Sequence, residues 1–181
     1  LLIEDPIREE APAMISALKA MGIRPVMMTG DSYRTAKAVA ERLGFEEFYA
    51  EVLPEDKANF VQAVKADGKK VIMIGDGVND SPALSASDAG IAMRDSSSLA
   101  QEISDITISS NDLMSLVTLI EISQSLMKRI KFNYRTVTGF NGGLIALGFF
   151  ALITPGSSAL LHNGSTLVLA LNSMTPLLKE R

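Results

Sequence analysis

The sequence predicts an α/β fold in two parts: an open parallel sheet with flanking helices over residues 1–125, then a two-helix hairpin that spans a membrane over residues 126–181. Three observations predict it. Short apolar runs alternate with helical patterns through residues 1–125, which argues for parallel strands joined by crossover helices. Charge divides the chain into three unlike segments, and 43 consecutive residues near its end carry no charge at all.

The strand candidates are residues 1–3, 25–28, 71–74, 90–93 and 106–108. Between them, residues 8–21, 32–43 and 56–66 repeat apolar positions at helical spacing. Gly22, Gly44 and Gly68 stand just past these three patterns, where a left-handed cap suits glycine. Asn111 and Asp112 offer an N-cap to a long helix beginning near Leu113. Its pattern runs through Leu116, Leu119, Ile120 and Ser123 and leads toward the first span.

Residues 1–125 hold 11 Lys plus Arg against 20 Asp plus Glu, a local balance of -9, as expected of an acidic globular domain. Residues 126–135 reverse the sign with Lys128, Arg129, Lys131 and Arg135 and no acid. From Thr136 to Leu178 the uncharged run is broken only by Thr154, Pro155 and Gly156. A hydrocarbon core of about 30 Å needs roughly 20 helical residues. The run therefore divides into spans of about 136–154 and 157–178. A buried hairpin in a soluble protein is the competing reading. Against it, basic residues flank both ends, with Lys179 and Arg181 after the second span, which places both ends on the cytoplasmic side. Residues 1–3 read as half a strand rather than a targeting peptide, so the chain reads as a piece beginning inside a fold. It has no cysteine, hence no disulfide and no thiolate ligand.

In an open parallel sheet, ligands gather beyond the carboxyl ends of the strands. Three places qualify: Thr29, Gly30 and Asp31; Gly75, Asp76, Gly77, Val78, Asn79 and Asp80; and Glu4 with Asp5. Lys57 follows Pro54, Glu55 and Asp56 at a helix start. Phosphoryl transfer needs donors for the nonreacting oxygens, a cation, and Mg²⁺ held by carboxylates. Thr29 and the Gly30 amide supply donors, Lys57 the cation, and Asp76 with Asp80 or Asn79 a hard oxygen site. Gly75 and Gly77 would let the backbone approach the phosphate. Singly, each feature has a plain reading: a turn with a helix cap for Thr29–Asp31, a solvated lysine for Lys57, and mere helix caps for Asp76 and Asp80.

Taken in order, Met28-Thr29-Gly30-Asp31, Pro54-Glu55-Asp56-Lys57 and the ten residues from Gly75 to Leu84 resemble the later motifs of P-type ATPases. Asp5-Pro6 with Arg8 resembles the strand that re-enters their phosphorylation domain. The resemblance implies a haloacid-dehalogenase-like Rossmannoid fold, ATP as substrate and Mg²⁺ as cofactor. It further implies that Thr29 and Lys57 steady an aspartyl phosphate, that Asp76 ligates Mg²⁺, that Asn79 and Asp80 complete the site, and that Asp31 orients the loop and contacts nucleotide. The phosphorylated aspartate of the family's Asp-Lys-Thr-Gly-Thr string is absent, so the chain alone is expected to have no turnover. Its partners would be ATP, a divalent metal cation, the lipid bilayer and the remaining domains of the pump; no nucleic acid is expected.

Polar residues within a span are costly and mark ion paths or interhelix contacts. Asn133, Tyr134 and Asn141 in the first span, and His162, Asn163, Ser165, Thr166 and Asn172 in the second, are such residues. Residues 133–141 and the string His162 to Thr166, with Asn172, Ser173 and Met174, resemble the last two spans of the heavy-metal-transporting subgroup. Asn141, His162, Ser165 and Thr166 are the candidates for the transported ion. Copper pumps of the family tend to have Met where His162 stands and Tyr-Asn where Phe140-Asn141 stands, so the departure points to a borderline divalent ion that accepts imidazole and oxygen. The spans and basic flanks suit a multi-pass bacterial plasma-membrane protein with its acidic part in the cytoplasm. A soluble phosphatase of the same fold, or a membrane-anchored module with a degenerate site, are the competing functions. The uncharged tail opposes the first, and the intact Lys57, Asp76 and Asp80 oppose the second.

Overall fold

The computed structural model describes residues 7–109 and 112–178. The strand expected at residues 1–3, with Glu4 and Asp5, lies outside the described residues, as do Asn111, Lys179 and Arg181. The chain divides into two compact units, Leu1–Val117 and Thr118–Arg181.

In the first unit, α1 (Ala11–Ala20) is followed by β1 (Val26–Met28), α2 (Tyr33–Leu43) and β2 (Glu47–Tyr49). Then come α3 (Pro54–Ala66), β3 (Ile72–Gly75), a short 3-10 turn at Val78–Asp80 and α4 (Ser81–Ala86). The unit closes with β4 (Ala89–Met93), α5 (Ser98–Ile103) and β5 (Ile106–Ile108). Gly44 ends α2 at φ +79°, with Gly22 and Gly68 in the same left-handed region, as their placement anticipates. Pro54 at the first position of α3 has no N–H to leave unpaired, so that helix starts two residues before the expected 56.

Every strand pair is parallel, but the strands form two ladders rather than the single sheet expected. One pairs β1 with β2, and the other runs β3-β4-β5. Among the described residues, β1 and β3 each have hydrogen-bonded strand neighbours on one side only. β2 and α5 have no counterpart in the sequence reading. Three residues, Glu47-Phe48-Tyr49, are too few to show alternation, and their identity as a strand comes from pairing with β1. Ile91 and Ala92 of central β4 are almost fully buried, as befits a strand between two neighbours with covered faces. The core gathers Val61, Met73, Ala83, Leu84 and Ala100, so α3, α4 and α5 pack on β3. Gly90 faces Leu84 closely enough that an added Cβ would come within 3.1 Å of the Leu84 carbonyl.

Asp88 fastens the start of the β3–β4 ladder. Its carboxylate accepts Val71 N at 3.0 Å and Lys70 Nζ at 2.9 Å, while its own N–H donates to the Val71 carbonyl. The Val71 amide first, then the Lys70 ammonium, hold the Asp88 carboxyl below its ordinary value.

The second unit is helical. Asp112 Oδ1 accepts Met114 N at 2.8 Å where α6 (Met114–Phe149) begins. The 36 residues of α6, about 54 Å long at 1.5 Å per residue, continue without a break through the basic segment. The first expected span is thus the end of a longer helix that stops at Phe149. Thr154 caps α7 (Pro155–Ser173) by accepting Ser157 N, and α7 ends five residues short of the expected 178. Arg129 of α6 reaches the C-terminal turn of α7. It donates to the Ser173 carbonyl at 3.0 Å, the Thr175 carbonyl at 2.6 Å, Thr175 Oγ1 at 3.1 Å and the Pro176 carbonyl at 3.1 Å. Of these, the Ser173 carbonyl is one that the end of α7 leaves unpaired, at the negative end of its dipole. Asn133 Nδ2 donates to Ser173 Oγ at 2.8 Å, and Asn141 pairs with His162, so α6 and α7 run antiparallel in one register.

Among the described residues, no helix is long and apolar enough to cross a membrane. Absence of charge alone predicted two spans; hydropathy does not follow, because His162, Asn163 and Asn172 interrupt α7 and the basic residues lie inside α6.

Two outcomes follow from these contacts. The folded Asp88 carboxyl titrates below the unfolded one, near pH 4, so its contribution is complete above that pH and is lost as pH falls through the lower folded value. The melting-temperature gap between wild type and Asp88→Asn should be constant above about pH 4.5 and narrow progressively as pH falls below about 4. Arg129→Ala should speed hydrogen exchange at the C-terminal turn of α7 at least tenfold, and Arg129→Lys should recover little of it, because an ammonium lacks the planar fork.

Candidate functional site

The site lies beyond the carboxyl ends of β1 and β3, where a parallel sheet leaves strand-end amides and carbonyls available. Gly30, Glu51, Val52, Leu53, Pro54, Lys57 and Asn79 line one cleft of about 360 Å³ there. The structure therefore brings Gly30, Lys57 and Asn79 together from three separate motifs. Thr29 and Asp76 are not among the residues that line this cleft.

Lys57, which lines the cleft, is paired with Asp80. Lys57 Nζ donates to Asp80 Oδ1 at 2.7 Å, with the two side chains only 14% and 12% exposed. The plain reading of a solvated lysine is overturned by this burial. Asp80 stands at the N-cap position of α4, yet its side chain makes no capping bond. An aspartate there ordinarily accepts from the first-turn amides; this one is turned to the lysine. Gly75 makes the arrangement possible, since a Cβ at that position would lie 2.6 Å from Asp80 Cβ. Gly75 is thus required by a neighbouring carboxylate rather than by the approach of phosphate, and Gly77 has only ordinary contacts around it.

The Thr29–Asp31 loop is laced to the segment after β2. Thr29 N donates to the Tyr49 carbonyl, Val52 N to the Thr29 carbonyl, and Glu51 N to the Asp31 carbonyl, at 2.9–3.0 Å. Glu51 pays for that contact with a left-handed backbone, φ +56°, at the edge of the cleft. Within the loop, Thr29 Oγ1 donates to Asp31 Oδ2 at 2.7 Å and accepts Asp31 N at 3.2 Å. The cap of α2 is Ser32, which accepts Thr35 N, so Asp31 is not the helix cap that a plain turn would make it.

Asp76 is exposed, and its backbone carbonyl accepts Ser97 N at 2.8 Å. Among the described residues, no three His, Asp or Glu side chains gather as a metal cage. Mg²⁺ does not require such a cage, since it keeps several waters and takes one or two carboxylates along with substrate phosphate. Ser81 Oγ, at the first residue of α4, is buried with no hydrogen-bond partner. Sequence reasoning missed Glu51, Val52 and Leu53, whose place at the cleft comes from β2 pairing with β1.

In the helical unit, His162 Nδ1 lies 2.9 Å from Asn141 Oδ1. Ser165 and Thr166 both donate their hydroxyls to the His162 carbonyl, at 2.8 and 3.0 Å. The four ion candidates therefore share one network across the two helices.

Residues 1–88 match the model of the haloacid dehalogenase-like hydrolases. A cation-transporting ATPase of rice (Oryza sativa subsp. japonica) is 44% identical over 139 residues, 77% of this chain and 14% of that protein. A probable copper-exporting P-type ATPase of Mycobacterium tuberculosis is 37% identical over 96% of this chain and 23% of its own length. A crystal structure of a zinc-transporting PIB-type ATPase superposes with a TM-score of 0.89 at 33% identity, covering 94% of this chain and 28% of that one. The chain thus spans under a quarter of the length of these two sequence relatives.

Lys57→Met should lower the stability of the first unit by about 3 kcal/mol, since it strands a buried carboxylate. Gly75→Ala should cost roughly 1–3 kcal/mol by overpacking against Asp80. In urea unfolding, Gly75→Ala combined with Asp80→Gly should lose less than the two single changes summed, the sign of a shared contact.

Proposed function

From its place among the heavy-metal-transporting P-type ATPases, the family to which this chain belongs, we propose that it completes the phosphorylation site of an ATP-driven metal pump and lends two helices to the metal's path. The observation that carries this reading is the cleft in which Gly30, Lys57 and Asn79 meet over the Lys57–Asp80 pair. A phosphoryl group needs fixed donors and a cation, and this cleft offers the Gly30 amide and the Lys57 ammonium.

The acceptor in this reading is an aspartate outside these 181 residues. Lys57 offsets the charge on the phosphoryl oxygens while Asp80 holds its ammonium in place. The Gly30 amide and the Thr29 hydroxyl are the donors; Thr29 has to release Asp31 to act, which frees the Asp31 carboxylate for nucleotide or for the loop. Asp76 and Asp80 hold Mg²⁺, which when bound draws negative charge from the transferring group. Among the described residues β1 and β3 have strand partners on one side only, and Ile72 and Ile74 of β3 stay 46% and 41% exposed. We assign those edges and that face to the rest of the same phosphorylation domain.

The cargo proposed is a divalent transition metal. With Nδ1–H donated to Asn141, His162 keeps an Nε2 lone pair for a borderline ion. The helices lie in the bilayer of a multi-pass membrane protein, with Phe149, Leu160, Leu167 and Met174 presenting most of their apolar surface outward. The polar residues that lower the hydropathy of α7 are the ones an ion path requires.

The intact pump tests this directly. Lys57→Ala should slow phosphoenzyme formation from ATP and Mg²⁺ by 10²-fold or more, and the parent sequence should carry an Asp-Lys-Thr-Gly-Thr string upstream. His162→Ala should shift the metal concentration that stimulates ATP hydrolysis. An unchanged metal dependence would remove His162 from the path, and phosphorylation indifferent to Lys57 would end the reading of the cleft.

A further inference from the structure

Among the described residues, two polar side chains are buried, Asp80 and Ser96. Burial of Asp80 is answered by Lys57. Ser96, on the turn between β4 and α5, has no part in the site so far, and a buried hydroxyl is unfavourable unless its bonds are made. Both are made here. Ser96 Oγ accepts Met93 N at 2.9 Å and donates to the Gly75 carbonyl at 3.3 Å, so it lies across the carboxyl ends of neighbouring β3 and β4.

The next residue acts on the next carbonyl, as Ser97 N donates to Asp76 O at 2.8 Å. α5 in turn holds the turn itself. Gln101 Nε2 donates to the carbonyls of Arg94 and Ser96 at 2.9 and 3.0 Å, and Ser97 Oγ caps α5 by accepting Ala100 N. The carbonyls of Gly75 and Asp76 belong to the two peptide planes that meet at the Asp76 Cα. A peptide plane is rigid, so holding both planes restrains the φ and ψ of Asp76 and with them the direction of its Cα–Cβ bond, from which the carboxylate projects. Asp76 is exposed, so little packing around the carboxylate could do the same.

We infer that Ser96 is a positioning residue for Asp76: its hydroxyl, with the Ser97 amide, sets the direction in which the Asp76 carboxylate is offered to Mg²⁺. The inference rests on the proposed reading of the site and adds to it a residue from a segment outside the three motifs. Partners that orient a metal ligand commonly change metal affinity by 10–100-fold when removed.

The test is Mn²⁺ binding to the intact pump, followed by the relaxation of water protons, beside thermal melting and the Mg²⁺ dependence of phosphorylation. Ser96→Ala should weaken Mn²⁺ binding about tenfold or more and raise the half-saturating Mg²⁺ to match, with ATP half-saturation unchanged. Ser96→Thr, which keeps the hydroxyl, should restore most of the affinity. Mn²⁺ affinity lost in Asp76→Asn but unmoved in Ser96→Ala would overturn the inference alone. Affinity unmoved even in Asp76→Asn would overturn the reading of the site, and the inference with it. A Ser96→Ala protein with lowered melting temperature and unaltered Mn²⁺ affinity would reduce Ser96 to a structural role.

Discussion

The cleft depends on a single ion pair that has been taken almost out of water. Lys57 and Asp80 come from α3 and from the turn after β3, and meet at 2.7 Å with little of either side chain exposed. Two charges so placed are tolerable only if each satisfies the other, because an unpaired buried charge is severely unfavourable. That requirement extends beyond the pair. It takes Asp80 away from the helix cap it would otherwise make, and it forbids any side chain at Gly75. A motif that looks like a string of local turn residues is thereby held by contacts reaching across 23 positions of sequence.

Around that pair, the unit fixes backbone first and side chains second. The Thr29–Asp31 loop is tied to the Glu51–Val52 segment by main-chain bonds, and the Gly75–Asp76 carbonyls are tied to the turn at Ser96 and Ser97. Both fastenings come from elements with no chemistry of their own. Such a design suits the proposed function, because phosphate and magnesium are bound by the direction of dipoles more than by shape. The left-handed Glu51 marks where the fastening strains the chain.

The helical unit applies the same logic in different surroundings. The Arg129 guanidinium binds the Ser173 carbonyl at the end of α7 and the turn that follows, and from that anchor the antiparallel register carries Asn133 to Ser173 and Asn141 to His162. The uncharged run and the hydropathy of the helices give different answers for one segment, since no described helix is long and apolar enough to cross a membrane.

Some of this was legible in the residues alone. Alternating apolar runs gave the parallel α/β character, glycines gave the ends of three helices, and three polar motifs held Gly30, Lys57 and Asn79 of the cleft, because each signal is local or repeats at a fixed period. Family resemblance carried over Thr29, Lys57, Asp76 and Asp80 together. What the residues did not disclose is long-range. That β2 is a strand at all, that the strands split into two ladders, and that Ser96 reaches Gly75 are each decided by partners far away in sequence. Periodicity and propensity describe a residue's neighbours along the chain, whereas a buried polar group is placed by whichever distant group can satisfy it, and only folding brings the two within reach.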